Sequence, residues 1–329
     1  MYKREKSLNI KGSASAVCNN LSVNVQPDKD RITYAVVHKS VVNITTSSVD
    51  GRNIAARQVV CKEQSSTASC IIIQAKIVTV AGRQILVVTS QKGIHMYELE
   101  GLLPIYAHTL PEPEPACTCT LAKGIAVLLN NVITIGTYEG HVMVLSIPGK
   151  GNNIQLVETL RNHSFPISAL DGIGDILAVV DERGQISTWR AGQPFEKLLV
   201  GTVGINPSDC VTSLVLCPND LIACSTTSGC IRFLSFQTCC TLAHIDAHAR
   251  CITSLSIAPS SGLILSTSED STVRVWKVAR SKSDLDIKLE FSEHIKDAQL
   301  QGGAFLSPNG YAFAASYYDS SELVFFTFK

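Results

Sequence analysis

The chain has 329 residues with 28 basic and 28 acidic side chains, so it carries no formal net charge at pH 7. That balance leaves no electrostatic footprint for nucleic acid or anionic lipid. An apolar fraction of 45% excludes a disordered or collagen-like chain and calls for a large core.

From the N-terminus, "MYKREKSLNI" has no apolar core of the kind a secretory leader needs, and Lys3, Arg4 and Lys6 read as a solvated end. The longest apolar runs, such as "IAVLLNNVITIG" at 125–136, are interrupted and too short to span a bilayer. The expected location is therefore the cytoplasm, with vesicle association as the alternative and no integral membrane segment. Twelve cysteines in such a chain read as reduced, buried small hydrophobes. Cys117 and Cys119 enclose one residue and Cys239 adjoins Cys240, and neither is a usual zinc spacing, so no metal is expected.

Short apolar runs broken by a small-residue turn recur along the chain. A loose first copy is "ITYAVVHKSVVNITT" at 32–46, followed by "ILVVTSQKGIHMYEL" at 85–99, "VITIGTYEGHVMVLSI" at 132–147 and "ILAVVDERGQISTWR" at 176–190. "LIACSTTSGCIRFLSF" at 221–236, "LILSTSEDSTVRVWKV" at 263–278 and "AFAASYYDSSELVFFTF" at 312–328 complete the series. The turn residues Gly93, Gly140, Gly184, Gly229, Ser271 and Ser320 fall 42 to 49 residues apart. Each unit is an apolar strand, a turn and a second alternating strand, and another short apolar run precedes it, for example "ITSLSIAP" at 252–259. Such a period with no amphipathic helix predicts an all-β, seven-bladed β-propeller over residues 1–329. The last unit ends on its third strand. "KSLNI" at 6–10 alternates suitably to supply the missing outer strand and close the ring.

The spacing within 248–276 resembles the WD-repeat (WD40) family. The resemblance implies a hydrogen-bonded tetrad of His248, Ser266, Asp270 and Trp276, in which Trp can only donate and Ser can both donate and accept. With Trp as the fourth member, Ser, His and Asp read as structural, not as a hydrolase triad. The other units depart from the pattern. Ser228 and Leu234, and Glu139 and Leu145, stand at the Asp and Trp positions of two of them, and Arg183 takes the Asp place in the unit that keeps Trp189. One complete tetrad is therefore expected, with the remaining blades held by apolar packing.

Further stretches, "GSASAVCNNLSV" at 12–23, "TSQKGIHMYE" at 89–98, "IPGKGNNIQL" at 147–156 and "IDAHARCITSLSIA" at 245–258, resemble the narrower family of WD repeat-containing protein 54. That resemblance implies an interaction scaffold, not an enzyme, and transfers no binding residues.

Motifs that carry chemistry are scarce in this sequence. "PGKGN" at 148–152 lacks the first glycine of a P-loop, and no GxSxG, HExxH or GxGxxG occurs. The FRRG motif of phosphoinositide-binding propellers is absent, and "WKVAR" at 276–280 departs from the Trp-Asp-x-Arg box of ubiquitin-ligase receptors. No cofactor and no catalytic residue is expected. A metal- or small-molecule-binding central channel, the enzyme-class alternative, would need inward carboxylates repeated between blades. A membrane-surface adaptor would need a basic face.

Partners are expected to be proteins or peptides, bound by the loops of one face. The turns on the face that carries the tetrad hold Lys92, Tyr138, Glu139, His141, Arg183, Tyr317, Tyr318 and Asp319, with aromatic and Arg side chains as the usual anchors. Two long connections, 50–69 and the Pro-rich, acidic 108–118, are further candidates.

Overall fold

Strands of five to ten residues with one or two buried faces, joined by tight turns, cannot be stable singly and must stack their apolar faces on neighbours. In this chain they do so as seven antiparallel sheets arranged around a channel. The computed structural model describes residues 1–61, 70–110, 122–218, 220–281 and 284–329. Within them there is no α-helix. Residues 111–118 of the long connection 108–118 and residues 62–69 of the other, 50–69, lie outside the described residues, as do Cys117 and Cys119.

Blades 1 to 6 cover residues 22–60, 72–109, 122–161, 167–202, 211–246 and 252–294. Each is a four-stranded meander, strands a to d from the channel outward, and each hairpin recognised in the sequence is strands b and c. In blade 6, for example, these are Ile252–Ala258, Leu263–Ser268, Thr272–Arg280 and Leu285–His294. Strands a to c are mostly buried or half-buried, whereas outer strands such as Thr241–Asp246 alternate with solvent. The core lies between blades: Val87 and Met96 of blade 2 pack with Ile125, Ile133 and Leu145 of blade 3, all within 1% of complete burial.

Blade 7 has strands Leu300–Phe305, Ala312–Tyr317 and Glu322–Phe328, and its outer strand comes from the other end of the chain. The closing segment begins earlier than 6–10. Tyr2–Arg4 pairs with Phe328–Phe326, and Leu8–Asn9 pairs with Leu323–Glu322. Tyr2 starts it because its ring is buried against Phe291, Phe313 and Phe328 at centroid distances of 5.1 to 5.4 Å, and its hydroxyl donates to the Gly310 carbonyl at 2.5 Å.

Strand a of every blade is an edge strand, whose spare N–H and C=O groups face the channel and need partners. In blades 2, 3, 5, 6 and 7, side chains of the preceding blade supply them. Ser22 Oγ accepts from Ile77 N (2.9 Å), Gln74 Oε1 from Gly124 N (2.9 Å) and Asp171 Oδ2 from Leu216 N (3.0 Å). Ser213 Oγ accepts from Leu255 N (3.3 Å), and Ser254 Oγ accepts from Gly303 N (3.0 Å). Lys76 Nζ donates to the Ile125 carbonyl at 2.9 Å. These groups line a channel cavity of about 290 Å³. Its polarity thus has a structural explanation: the lining side chains hydrogen-bond the backbone of the next blade.

Between the closing strand and blade 1, the chain runs over the channel mouth. Asn19, in a left-handed conformation, donates its backbone N–H to Thr253 O (2.8 Å) and its side-chain amide to Thr212 O (3.3 Å), and its Oδ1 accepts from Ser213 Oγ (3.0 Å). Asn20 N donates to Gln301 O at 3.0 Å. One short segment therefore touches blades 5, 6 and 7 before blade 1 begins.

Candidate functional site

The turns between strands b and c and the loops leading into the blades share one edge of the ring, the top rim, and it holds the described polar networks of the sequence-predicted site. His248 lies just before blade 6, Ser266 on strand b, Asp270 in the b–c turn and Trp276 on strand c. Trp276 Nε1 donates to Ser266 Oγ (2.9 Å), and Ser266 Oγ lies 2.8 Å from His248 Nε2. Since indole only donates, the Ser hydroxyl proton points to Nε2, and His248 carries its own proton on Nδ1, 3.1 Å from Asp270 Oδ2. Asp270 also accepts from Thr272 N (2.9 Å) and Ala249 N (3.0 Å), so one carboxylate fixes both the turn and the loop before the blade.

A second network of the same composition sits in blade 4, which corrects the expectation of a single tetrad. Trp189 Nε1 donates to Ser187 Oγ (3.0 Å), Ser187 Oγ is 2.7 Å from His163 Nε2, and His163 Nδ1 is 2.9 Å from Asp181 Oδ2. The serine has crossed the ladder. Ser187 is on strand c, opposite Val179, just as Arg274 is opposite Ser266 in blade 6. Directly opposed residues project their Cβ atoms from the same face about 5 Å apart, so either can hand a hydroxyl to the same imidazole. The carboxylate has likewise moved back two residues, from the place held by Arg183 to Asp181, which is fully buried and still accepts from Arg183 N and Gln185 N (both 3.0 Å).

Blade 5 does not depend on packing alone either. Its carboxylate is in the preceding loop: Asp209 accepts from Ser228 Oγ (2.6 Å), Ser228 N (3.0 Å) and Thr227 Oγ1 (2.5 Å). The acid and the hydroxyl have exchanged ends of the same tie. Glycine is required where turn and loop meet. Gly140 and Gly229 have positive φ, and a Cβ on either would overlap the backbone carbonyl of His163 or His248.

The pH response of blade 6 follows from this wiring. Burial lowers the pKa of His248 from its usual 6.5, and the attraction of Asp270 offsets this only in part. For Asp270, burial alone would raise the pKa, but hydrogen bonds from His248 and Thr272 outweigh it and hold the carboxyl well below 3.8. A histidine with a depressed native pKa binds its proton more readily unfolded, so stability falls as pH drops below about 6.5. A depressed aspartate adds a second loss as pH falls below about 4. Thermal melts should show the first loss between about pH 7 and 5, with a shallower slope in His248→Gln; an unchanged slope would contradict the assignment.

The structure separates the remaining rim residues into groups. Tyr138, Glu139 and His141 of blade 3 line one pocket of about 180 Å³, with Leu110, Met143 and Leu156 as its apolar part and Arg161 at its side. Glu139 Oε2 lies 3.2 Å from His141 Nδ1. Next along the rim, the Arg183 guanidinium lies over the ring of Phe165 at 5.4 Å, and Arg183 Nη1 donates to Pro207 O (3.1 Å). Phe165, which the sequence reading did not single out, is 45% exposed. Lys92 is exposed in the b–c turn of blade 2. Tyr317, Tyr318 and Asp319 belong to blade 7, on the far side of the ring. Tyr317 packs against the core between blades 6 and 7, Tyr318 is 50% exposed, and Asp319 N donates to Ala14 O.

Among the described residues no group of three His, Cys, Asp or Glu is placed to hold a metal ion, and no helix is long and apolar enough to cross a membrane. In the channel, Asp171 is the acidic side chain of the lining. Burial raises its pKa against the pull of Lys76, and its carboxylate is engaged by Leu216 N.

Comparison with known proteins agrees with this architecture. Over 97% of the chain and 98% of theirs, the coordinates match U3-55K with a TM-score of 0.74 at 16% identity. A chain of the mitotic checkpoint complex matches with a TM-score of 0.73 at 18% identity, over 99% of this chain and 92% of that one. In sequence, the rat protein WD repeat domain 54 (Rattus norvegicus) is 33% identical over 99% of both chains. The human WD repeat-containing protein 54 (Homo sapiens) is 32% identical over 98% of both. The WDR54 family model matches residues 1–328. A seven-bladed WD-repeat propeller matched at this level over nearly its whole length belongs to the WDR54 family.

Proposed function

We propose that this chain is a non-catalytic adaptor in the cytoplasm that holds a protein or peptide partner on the top rim of blades 3 to 5. WD40 propellers generally mediate protein–protein interaction, which is the coarse frame for this reading. The observation that carries it is the placement of an exposed Phe165 under Arg183, next to the pocket lined by Tyr138, Glu139 and His141. A concave apolar floor beside aromatic and guanidinium anchors is the composition of an interface hot spot, not of an ordinary solvated rim. Lys92 lies one blade away and can extend the surface, whereas Tyr318 and Asp319 of blade 7 would form a separate contact.

The test is affinity capture from native lysate by the wild-type chain and by Tyr138→Ala/Phe165→Ala/Arg183→Ala, after both are shown to melt alike. Each true anchor contributes about 2 kcal/mol, roughly 30-fold in affinity, so the triple variant should lose the partner. Equal capture by both chains would move the site off this rim, and capture of nothing by wild type would remove the support for an adaptor.

A further inference from the structure

The ladder of blade 3 explains what lines the pocket beside Tyr138. In the pairing of its strands c and d, His141 stands opposite Arg161 and Met143 opposite Thr159. Directly opposed residues project to the same face of a sheet. That face looks toward blade 2, because Met143 packs in the core the two blades share, to which blade 2 contributes Leu110. His108 of blade 2 forms part of the wall, and the exposed Leu156 of strand d extends the apolar surface. The result is a cavity of about 180 Å³ with an apolar floor.

Its charged lining is one-sided. Glu139 is the acidic member, and its Oε2 already lies 3.2 Å from His141 Nδ1. Burial lowers the pKa of His108 from its usual 6.5, so that ring is neutral at pH 7. Arg161 is exposed and permanently charged. Among the described residues its guanidinium has no hydrogen bond and no ion pair, whereas Arg83 and Arg190 are paired with Glu98 and Glu196. A fork of N–H donors at the side of an apolar cavity is matched by a carboxylate carried next to an apolar group.

The spacing narrows the match. Arg161 is two residues along the strand from Thr159, which is level with Met143, an interval of about 7 Å. An extended peptide repeats that interval between residues i and i+2, whose side chains point the same way.

We propose that this pocket binds an extended acidic peptide, which seats an aliphatic side chain against Leu110 and Met143 and sets a carboxylate two residues away on Arg161. This rests on the adaptor reading and deepens it, by naming the chemistry of the partner.

The chain has three methionines, Met1, Met96 and Met143. Isotope labelling of their methyl groups therefore gives three NMR signals, with Met143 lining the pocket and the fully buried Met96 reporting that the fold is intact. Met143→Leu identifies the pocket signal. The probe is the peptide acetyl-Gly-Glu-Ser-Leu-Ser-Glu-Gly-amide, which offers a carboxylate two residues to either side of its leucine. Titration into the full-length chain should shift the Met143 signal to saturation and leave those of Met1 and Met96 in place. Changing both glutamates of the peptide to glutamine, or its leucine to alanine, should each weaken binding about tenfold. Placing the glutamates directly beside the leucine keeps the peptide's charge and should weaken binding as well. Arg161→Gln, at an exposed position, should cost the acidic peptide the same factor and leave the glutamine peptide unaffected.

The proposal is overturned if no peptide moves the Met143 signal, or if the glutamate and glutamine peptides bind equally. It is also overturned if the position of the glutamates makes no difference, or if Arg161→Gln keeps the preference for acid. Failure here is distinct from failure of the adaptor reading. That reading stands if the Tyr138/Phe165/Arg183 variant still loses a partner that the wild type captures from lysate, and it falls if the wild type captures nothing.

Discussion

Asp181→Ala should lower the melting temperature by about 4 °C, while Arg183→Ala should leave it within about 1 °C. Both positions lie in the same turn, and Arg183 occupies the place at which blade 6 carries Asp270. Removing the Asp181 carboxylate leaves the buried His163 Nδ1–H and the backbone N–H groups of Arg183 and Gln185 without their acceptor. A buried charged hydrogen-bond network broken on one side costs about 3 kcal/mol. At about 2.1 cal/mol/K of unfolding entropy per residue, that cost gives the stated shift for a chain of this length. Arg183 is exposed, and its contacts to Phe165 and Pro207 O are of the kind worth at most about 1 kcal/mol at a solvated site. The opposite ordering in a thermal melt would mean that the blade 4 network does not hold the turn.

The ring closure carries the other large effect. Tyr2→Ala removes a buried ring from among Phe291, Phe313 and Phe328 and a hydroxyl from the Gly310 carbonyl. Loss of a buried aromatic side chain costs about 4 kcal/mol, so the expected fall in melting temperature is about 6 °C. Tyr2→Phe keeps the ring and should cost only about 1 kcal/mol. Deleting residues 2–9 goes further, because it strips the partner from strand Glu322–Phe328 and bares an apolar edge. Sedimentation velocity should then show concentration-dependent self-association that the full chain lacks. A monomeric deletion variant with an unchanged melt would show that the ring does not need its N-terminal strand.

The blade count and the hairpins were legible because both are local: alternation sets each strand, and a residue that tolerates positive φ sets each turn. The family resemblance was legible for the same reason, from contiguous stretches such as 89–98 and 245–258. What the sequence did not disclose is what depends on neighbours across a ladder. Ser187 reads as a strand-c residue with no special place until its register opposite Val179 puts the hydroxyl beneath His163. Asp209 reads as a loop acid until Ser228 is seen to face it. Tyr2 looks like part of a basic, solvated end, because the aromatic residues that bury it are about 290 residues or more further on. The channel polarity is a similar case. Ser22, Gln74, Asp171 and Ser254 have no common motif; what they share is the backbone edge of the next blade.

Of the rim residues chosen for their chemistry, Tyr138, Glu139, His141 and Arg183 fall within one stretch of surface, and Phe165 completes it. Whether a partner sits there is best decided by amide hydrogen exchange on the chain alone and with its captured partner. Slower exchange is expected at residues 137–141, 163–166 and 181–184, with the turns at the opposite edge of the ring, such as 129–131 and 174–175, unchanged. Protection confined to those opposite turns or to the outer strands, with the top rim exchanging as before, would contradict it.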